Sequence, residues 1–225
     1  REVLRMVDMV ESMLHLFYGA LQDDDRKLLS RLSTMDTALD NLHRAVKLHV
    51  TALGDDDLSE ADAKRCSDIL AFTINLEHIG DILDNSLKDI AAKKIKQQLA
   101  FSNEGLQEIS EMHQRLLDNL QLATSVFMMG DAGAARTLLE EKERMRELEQ
   151  ATVENHLRRL RERRAQSVET SSLHIDIARD LKRIAAHIAS VAYPILEQNG
   201  TLRRSRLLKE PEAVPGAMGV SGNNA

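Results

Sequence analysis

The stretch INLEHIGDILDN, residues 74–85, carries three carboxylates in a mostly apolar run. Glu77, Asp81 and Asp84 are spaced four and then three residues apart, so a helix places them on one flank. Like charges at this spacing destabilise an isolated helix by roughly 0.2–0.5 kcal/mol per pair. A bound cation would remove that repulsion. The spacing therefore suggests a metal site as one explanation of the acidic flank.

A second acidic set lies upstream in the same register. Asp36, Asp40 and His43 precede positions 77, 81 and 84 by 41 residues each. If neighbouring antiparallel helices carry the two sets, their acidic flanks can face each other and repel unless a cation lies between them. Carboxylates with at most one imidazole suit Mg²⁺, Ca²⁺, Mn²⁺ or oxo-bridged iron rather than structural zinc. We therefore predict a divalent or ferric metal site formed by four residues: Asp36, Asp40, Glu77 and Asp81.

A solvated helix surface is the alternative interpretation of the same spacing. The chain has 36 acidic residues, and pairs four residues apart also occur elsewhere, as at Glu143 and Glu147. The sequence contains no Glu-x-x-His, so the ligand pattern of carboxylate-bridged di-iron enzymes is absent. Cys66 has no partner that would mark it as a nucleophile. We therefore expect no catalytic residues and no enzymatic activity.

The composition predicts an all-α fold. Of the 225 residues, 43% are hydrophobic but only 3% are aromatic, and there is no Trp. Residues that favour helices replace the β-branched and aromatic residues that strands require. Six apolar stripes of helical period are separated by breaks, which fall at Gly19, Gly54, residues 96–103, Gly130 and about Arg164. Two tandem three-helix bundles fit this repeated order of helices best.

The helix ends divide the chain into three parts. N-terminal caps are offered at Asp23–Asp25, Asp55–Asp57, Ser59, Asn103 and Asp131. Pro194 is expected to end or kink the sixth helix, with Gly200 beyond it in the C-cap position. We assign residues 1–100 to the first bundle and 101–200 to the second. Residues 201–225 are predicted to be a basic and then disordered tail.

Charge and hydropathy exclude several classes of function. A net charge of −6 and a pI near 5.8 argue against binding to nucleic acid, which normally requires a basic surface. No apolar run approaches the roughly 18 residues that span a bilayer. The lone cysteine, Cys66, permits no internal disulfide and favours a reducing compartment.

The sequence resembles PhoU domains. The segment NLEHIGDILDN is similar to their Glu-x-x-x-Asp motif on the third helix of a bundle. A longer segment, ETSSLHIDIARDLKRIAAHIASVAYPILEQNGTLRRSRL at residues 169–207, is similar to the end of the cytoplasmic PhoU-like domain in bacterial Na⁺/phosphate cotransporter family proteins. The resemblance covers roughly residues 1–207, and implies two bundles whose acidic motifs hold metal clusters in some members.

The second bundle departs from the PhoU motif. The positions that match its Glu and Asp are Lys182 and Ala186. A lysine ammonium would repel a cation there, so the resemblance implies one metal site in this chain where PhoU proteins can have two. That site is the predicted set around Glu77 and Asp81.

The resemblance implies a regulatory or interaction module. Our leading expectation is the cytoplasmic domain of a sodium-dependent phosphate transporter, at the cytoplasmic side of the inner membrane. Its partner would be the membrane portion of the same chain, and we expect that portion before Arg1 because the sequence begins inside an amphipathic pattern. The alternative is a free-standing PhoU-type regulator of phosphate transport and signalling. An enzyme with a carboxylate metal centre is a third interpretation, and other phosphate-signalling proteins or a second copy of the chain are further expected partners.

Overall fold

A computed structural model of the chain describes residues 1–53, 59–198 and 200. Helices make up nearly all of this part of the chain and no strand occurs in it, so the all-α prediction is confirmed. The α-helices are α1 (Glu2–Asp23), α2 (Arg26–Thr51), α3 (Glu60–Asp81), α4 (Lys88–Gln97), α5 (Asn103–Met129), α6 (Ala132–Arg161), α7 (Ala165–Glu169), α8 (Ser171–Ala189) and α9 (Ala192–Gln198). A π-helical segment, Ile82–Leu87, joins α3 directly to α4.

The helices pack in two groups of three. In the first group α1, α2 and α3 contact one another, and in the second α5, α6 and α8 do the same. Contacts of α1 with α5 and of α3 with α8 join the groups around one continuous hydrophobic core. The fold is therefore the predicted pair of three-helix bundles. The domain limits at residues 100 and 200 stay predictions, and Gly54, Asp55–Asp57 and the tail at 201–225 lie outside the described residues.

The first helix lies at the centre of the core. Met6, Val10, Met13, Leu14 and Phe17 are all completely buried, because α1 packs against α2, α3 and α5 at once. Burial of each such side chain contributes roughly 1.5–3 kcal/mol to folding. The stripe also continues past Gly19 to the end of α1. The expectation of a helix end near Gly19 is therefore wrong.

Hydroxyl and carboxylate side chains cap the helices largely as predicted. Asp25 Oδ1 accepts a hydrogen bond from Lys27 N at 2.8 Å, and Asp131 Oδ1 accepts one from Ala134 N at 2.6 Å. Ser59 caps α3 through Asp62 N at 3.2 Å. The cap of α5 is Ser102 rather than Asn103, because Ser102 is in an extended conformation from which its Oγ reaches Gly105 N at 3.2 Å.

The predicted sixth helix consists of three shorter helices. Thr170 separates α7 from α8, and α8 ends at Ala189, before the predicted break at Pro194. Pro194 is instead the third residue of α9. A helix leaves its first backbone N–H groups without internal partners, so the missing N–H of proline costs nothing there. Gly130, which ends α5, and Gly200 both have the positive φ expected of C-terminal glycines, at 68° and 64°.

Candidate metal centre

The acidic flank of α2 meets α3 at a glycine. A Cβ atom added to Gly80 would lie 2.9 Å from Asp36 Oδ1 and 2.6 Å from Leu39 Cδ2. Both distances are shorter than van der Waals contact, so the absence of a side chain at residue 80 allows the two helices to approach this closely. Asp36 Oδ1 is buried at this contact and has no hydrogen-bond partner among the described residues.

The carboxylates of the two helices share one electrostatic environment. Burial and, to a smaller extent, neighbouring negative charges together raise the pKa of Asp36 to about 6. In order of their effect, these charges are Asp40, Asp84, Asp81 and Glu77. The structure therefore brings both predicted acidic sets together. A cation in this acidic strip, which we define as Asp36, Asp40, Glu77, Asp81 and Asp84, would relieve the repulsion that opposes ionisation of Asp36.

Only part of the predicted ligand set is compact enough to bind an ion without rearrangement. Glu77, His78 and Asp81 can each place one ligand atom within 4.8 Å of the other two. Asp36 and Asp40 belong to no such group of three in the described part of the chain. One ion held by all four predicted residues therefore requires side-chain rotation on α2, and the four-residue site stays a prediction.

Asp84 lies in the π-helical segment that follows α3 and is already paired with other side chains. A π-helical turn contains more residues than an α-helical turn and so shifts the register of the side chains that follow. Asp84 accepts hydrogen bonds from Ser33 Oγ at 2.6 Å and from Lys88 Nζ at 2.8 Å. Lys88 also donates to Ser33 Oγ at 3.0 Å. An internal cation thus neutralises this end of the strip, and Asp84 is a poor candidate ligand.

The second bundle carries an internal cation at the position that matches the PhoU glutamate. Lys182 Nζ lies 3.2 Å from Glu149 Oε2, and the Glu149 side chain is only 14% exposed. This ion pair occupies the α6–α8 face that corresponds to the acidic strip of the first bundle. It supports the expectation of a single strip site, which stays a prediction.

A cleft next to the strip contains two histidines that the sequence analysis left unassigned. The cleft has a volume of about 440 Å³, lies between α3 and α8, and is lined by His78, Asp81, Ile82, Asn85, Ser86, Arg183 and His187. The ring centres of His78 and His187 are 5.3 Å apart. Burial lowers the pKa of His187, with further lowering by His78 and Arg183. Neither the spacing nor the type of His187 in the sequence predicts this contact, since its neighbours come from the other bundle.

A second cluster of charges is buried in the second bundle. Glu108 accepts hydrogen bonds from Arg159 Nη1 at 3.0 Å and Nη2 at 2.7 Å, and His174 Nε2 lies 3.2 Å from the same carboxylate. Burial alone would raise the pKa of Glu108, but the hydrogen bonds from His174 and Arg159 outweigh it and lower the pKa to about 2. Because the charges of Glu108 and Arg159 neutralise each other, we assign the cluster a structural role.

The chemistry of the acidic strip suits a hard cation. Its ligands are carboxylate oxygens, which Mg²⁺, Ca²⁺ and Mn²⁺ prefer, and Asp36 Oδ1 is a buried acceptor without a partner. His43 Nε2 on the same flank of α2 is also buried and has no partner among the described residues. None of the described helices has the length and apolar character needed to cross a membrane.

Comparison with known proteins identifies the class of protein that this fold and acidic motif define. The family model described as "PhoU domain" matches residues 3–90 and again 109–195. These two segments make up more than half of the chain and correspond to its two groups of helices. The chain therefore belongs to the PhoU family.

Curated relatives are longer than this chain. The "Putative inorganic phosphate export protein YjbB" of Salmonella typhimurium is 37% identical over 198 residues, which are 88% of this chain and 36% of that protein. The protein of the same name from Escherichia coli strain K12 is 35% identical over 198 residues, which are again 88% of this chain and 36% of that protein. The chain thus spans little more than a third of the length of these relatives.

Solved structures share the fold. PhoU from Pseudomonas aeruginosa superposes with a TM-score of 0.79 at 20% identity and covers 89% of this chain and 95% of that one. A PhoU-like protein from Shewanella oneidensis MR-1 superposes with a TM-score of 0.64 at 18% identity and covers 88% and 98%. At these identities the likeness shows the fold alone.

Proposed function

We propose that the chain acts as a PhoU-type regulator of phosphate transport and signalling, which the sequence analysis ranked second to a cotransporter domain. Membership of the PhoU family and relatives named for inorganic phosphate export support a role in phosphate handling. The observation that carries the mechanism is the placement of Asp36, buried against Gly80 and surrounded by other carboxylates. A regulator of this kind needs a surface whose charge can change, and the strip offers one.

The proposed mechanism is a change of charge on the α2–α3 face. Without a cation, Asp36 and the other strip carboxylates repel one another and any acidic partner. With a divalent or ferric ion bound, the same face becomes less negative and can contact a transporter or another phosphate-signalling protein. The chemistry would then be binding alone, because no nucleophile lies beside a general base in the strip.

A second candidate is a regulatory part of a longer transporter. It is favoured by the length of the relatives, of which this chain covers 36%. In that case the membrane portion of the same protein, at the inner membrane, would be the partner of the α2–α3 face. The relatives are named for phosphate export. Our sequence-based expectation is a sodium-dependent phosphate transporter, and nothing in the comparisons supports sodium coupling. A homodimer stays a prediction.

The function can be tested in the native host. Removal of the coding segment should alter phosphate flux, measured as uptake and release of labelled phosphate, and the wild-type chain should restore it. The double variant Asp36→Asn/Asp40→Asn should fail to restore normal flux. The matched control is Glu143→Gln/Glu147→Gln, a pair of exposed acids four residues apart on α6, which should restore it fully. Unchanged phosphate flux after removal would contradict the proposal.

A further inference from the structure

We propose a second cation site, which joins the two bundles across the cleft between α3 and α8. Its ligands are Nε2 of His78, Nε2 of His187 and the carboxylate of Asp81, and we name these three residues the histidine clasp. Two imidazoles and one carboxylate bind borderline divalent metals such as Zn²⁺, unlike the all-carboxylate strip. The clasp goes beyond the proposed function, and it shares two residues with the strip: Asp81 as a ligand and Glu77 as an orienting residue.

The hydrogen bond of His187 leaves its Nε2 able to bind a metal. Asn75 Nδ2 donates to Ala71 O at 2.7 Å, which turns the amide oxygen of Asn75 towards His187. His187 Nδ1 lies 2.9 Å from that oxygen. An amide oxygen can only accept, so Nδ1 carries the proton and Nε2 carries the lone pair. Asn75 thus fixes the tautomer that a metal ligand requires.

The carboxylate of Glu77 favours the same tautomer of His78. His78 Nδ1 lies 3.1 Å from Glu77 Oε2, and a carboxylate oxygen can only accept. The nearby negative charge favours a proton on Nδ1, which would leave Nε2 available as a ligand. A carboxylate that orients a histidine in this way is common around bound metals, where it also raises the basicity of the imidazole. Glu77 would serve the clasp as an orienting residue.

The two rings are close enough to share one ion, but His187 belongs to no group of three ligand atoms within 4.8 Å in the described part of the chain, so joint binding with Asp81 requires side-chain rotation. The ring centres of His78 and His187 are 5.3 Å apart with an angle of 54° between the ring planes. Two imidazoles bound to one tetrahedral ion at about 2.0–2.1 Å have ring centres roughly 5 Å apart. Both rings and Asp81 line the same cavity, whose volume of about 440 Å³ also admits water as a fourth ligand.

The charges around the cleft do not exclude a cation. Arg183 lines the cleft, but its Nη1 donates to Asp180 Oδ1 at 2.6 Å, and Ser86 Oγ donates to the other oxygen of Asp180. Asp180 is itself buried and so compensates the guanidinium directly. Asp180 offsets part of the charge of Arg183, and Asp81, which accepts a hydrogen bond from Asn85 Nδ2 at 3.2 Å, adds a negative charge to the cleft.

The location gives the clasp a structural consequence. His78 belongs to α3 of the first bundle and His187 to α8 of the second, so one ion would tie the bundles together. Binding of Zn²⁺ would then fix the contact of α3 with α8, which the protein otherwise makes through side-chain packing and the bond from His187 to Asn75. The clasp therefore predicts that zinc couples the two halves of the chain.

The test is a Zn²⁺ titration by isothermal calorimetry of the purified chain and its variants. Loss of an orienting partner alone costs a metal site about 10–100-fold in affinity. His187→Gln and His78→Gln should therefore each weaken zinc binding by at least about tenfold. Asp36→Asn/Asp40→Asn should leave it unchanged, as should His49→Gln, an exposed histidine at the end of α2. Because His78 is exposed, His78→Gln should fold, and it still tests the proposal if His187→Gln unfolds.

A second readout identifies the ligands. Co²⁺ bound to the clasp should give visible absorption bands of a tetrahedral or five-coordinate ion in the wild type, and these bands should disappear in His187→Gln. Equal zinc affinity in wild type and both histidine variants would overturn the proposal. Zinc binding that is lost in Asp36→Asn/Asp40→Asn but kept in His187→Gln would also overturn it, because the ion would then lie in the acidic strip.

Discussion

The carboxylate of Asp36 occupies space that any side chain at residue 80 would claim, with Oδ1 only 2.9 Å from the position of a Cβ on Gly80. This relationship couples the packing of α2 on α3 to the electrostatics of the strip. The close approach places Asp36 among Asp40, Glu77, Asp81 and Asp84, and the same approach shields it from water. Gly80 is therefore as much a part of the candidate site as the acids around it.

Gly80→Ala should destabilise the protein. The new methyl group would overlap Leu39 and Asp36. Overpacking of this kind typically lowers the free energy of unfolding by about 1–3 kcal/mol. The higher helix propensity of alanine offsets about 1 kcal/mol of this loss. Urea denaturation would measure the net loss in free energy of unfolding. Gly19→Ala is the control, because its methyl group meets only a flexible Leu28 methyl, at 3.2 Å. Equal stability of the Gly80 variant and wild type would contradict the close packing.

Asp36→Asn should stabilise the metal-free protein at alkaline pH. Because the pKa of Asp36 is raised to about 6 in the folded state, ionisation of Asp36 destabilises the fold as the pH rises from about 4 through 6. Asn avoids this cost, so the variant should be more stable by about 1 kcal/mol at pH 8 after allowance for solvent screening. The difference should vanish near pH 4. Urea denaturation in the presence of a chelator, repeated from pH 4 to pH 8, provides the measurement. A stability difference between variant and wild type that does not change with pH would contradict the raised pKa of Asp36.

Glu108→Gln should destabilise the protein much more than a surface substitution. The change leaves the guanidinium of Arg159, which is 4% exposed, without its charged partner, and breaking a buried ion pair costs about 3 kcal/mol or more. Since the pKa of Glu108 is lowered to about 2, the wild-type advantage should be complete above about pH 4.5 and lost as the pH falls through about 2. Thermal unfolding at pH 7 and pH 3 would show this.

The control for Glu108 is Glu104→Gln. Glu104 pairs with Arg164 at 2.6 Å, but both side chains are about half exposed, so water can replace the interaction. This variant should unfold close to the wild-type temperature. If the two substitutions had the same effect, the Glu108 cluster would not be a buried charge network in solution.

Glu77→Gln/Asp81→Asn should abolish stabilisation by Mg²⁺ or Mn²⁺. A ligand that binds only the folded state adds about 2.7 kcal/mol at a concentration 100 times its dissociation constant. Melting curves with and without excess metal should therefore show a rise for wild type and for Glu143→Gln/Glu147→Gln, but none for the strip variant. Equal shifts in all three proteins would mean that the strip binds nothing specifically.

Sequence patterns with a local cause were the most predictable. Helical periodicity identified the all-α fold, and caps such as Asp25 and Asp131 were correct because a cap depends on residues within one turn. The shared register of the acids at 36, 40, 77 and 81 assumed that α2 lies beside α3, and the two helices do contact each other, while the four-residue site stays a prediction. The end of α1 was missed because Ala20 and Leu21 continue the buried stripe past Gly19, and a glycine alone does not end a helix that still gains from packing.

Features that depend on tertiary contacts were missed. The π-helical segment at residues 82–87 leaves no periodic signal, and the hydrogen bonds of its Asp84 with Ser33 and Lys88 were not predicted. Gly80 lies between Glu77 and Asp81 in the sequence. A glycine at this position was the one sign in the sequence that α2 and α3 pack closely here. His187 contacts Asn75 across 112 positions of sequence, so no local pattern could reveal the cleft.

The central claim, that the strip between α2 and α3 is a cation site, is tested most directly by a crystal of the chain soaked in Mn²⁺. The account predicts an anomalous difference peak at roughly 2.0–2.6 Å from carboxylate oxygens contributed by both helices. Glu77 and Asp81 should contribute from α3, and Asp36 or Asp40 from α2. A map with no peak between the two helices at saturating Mn²⁺ would contradict the account.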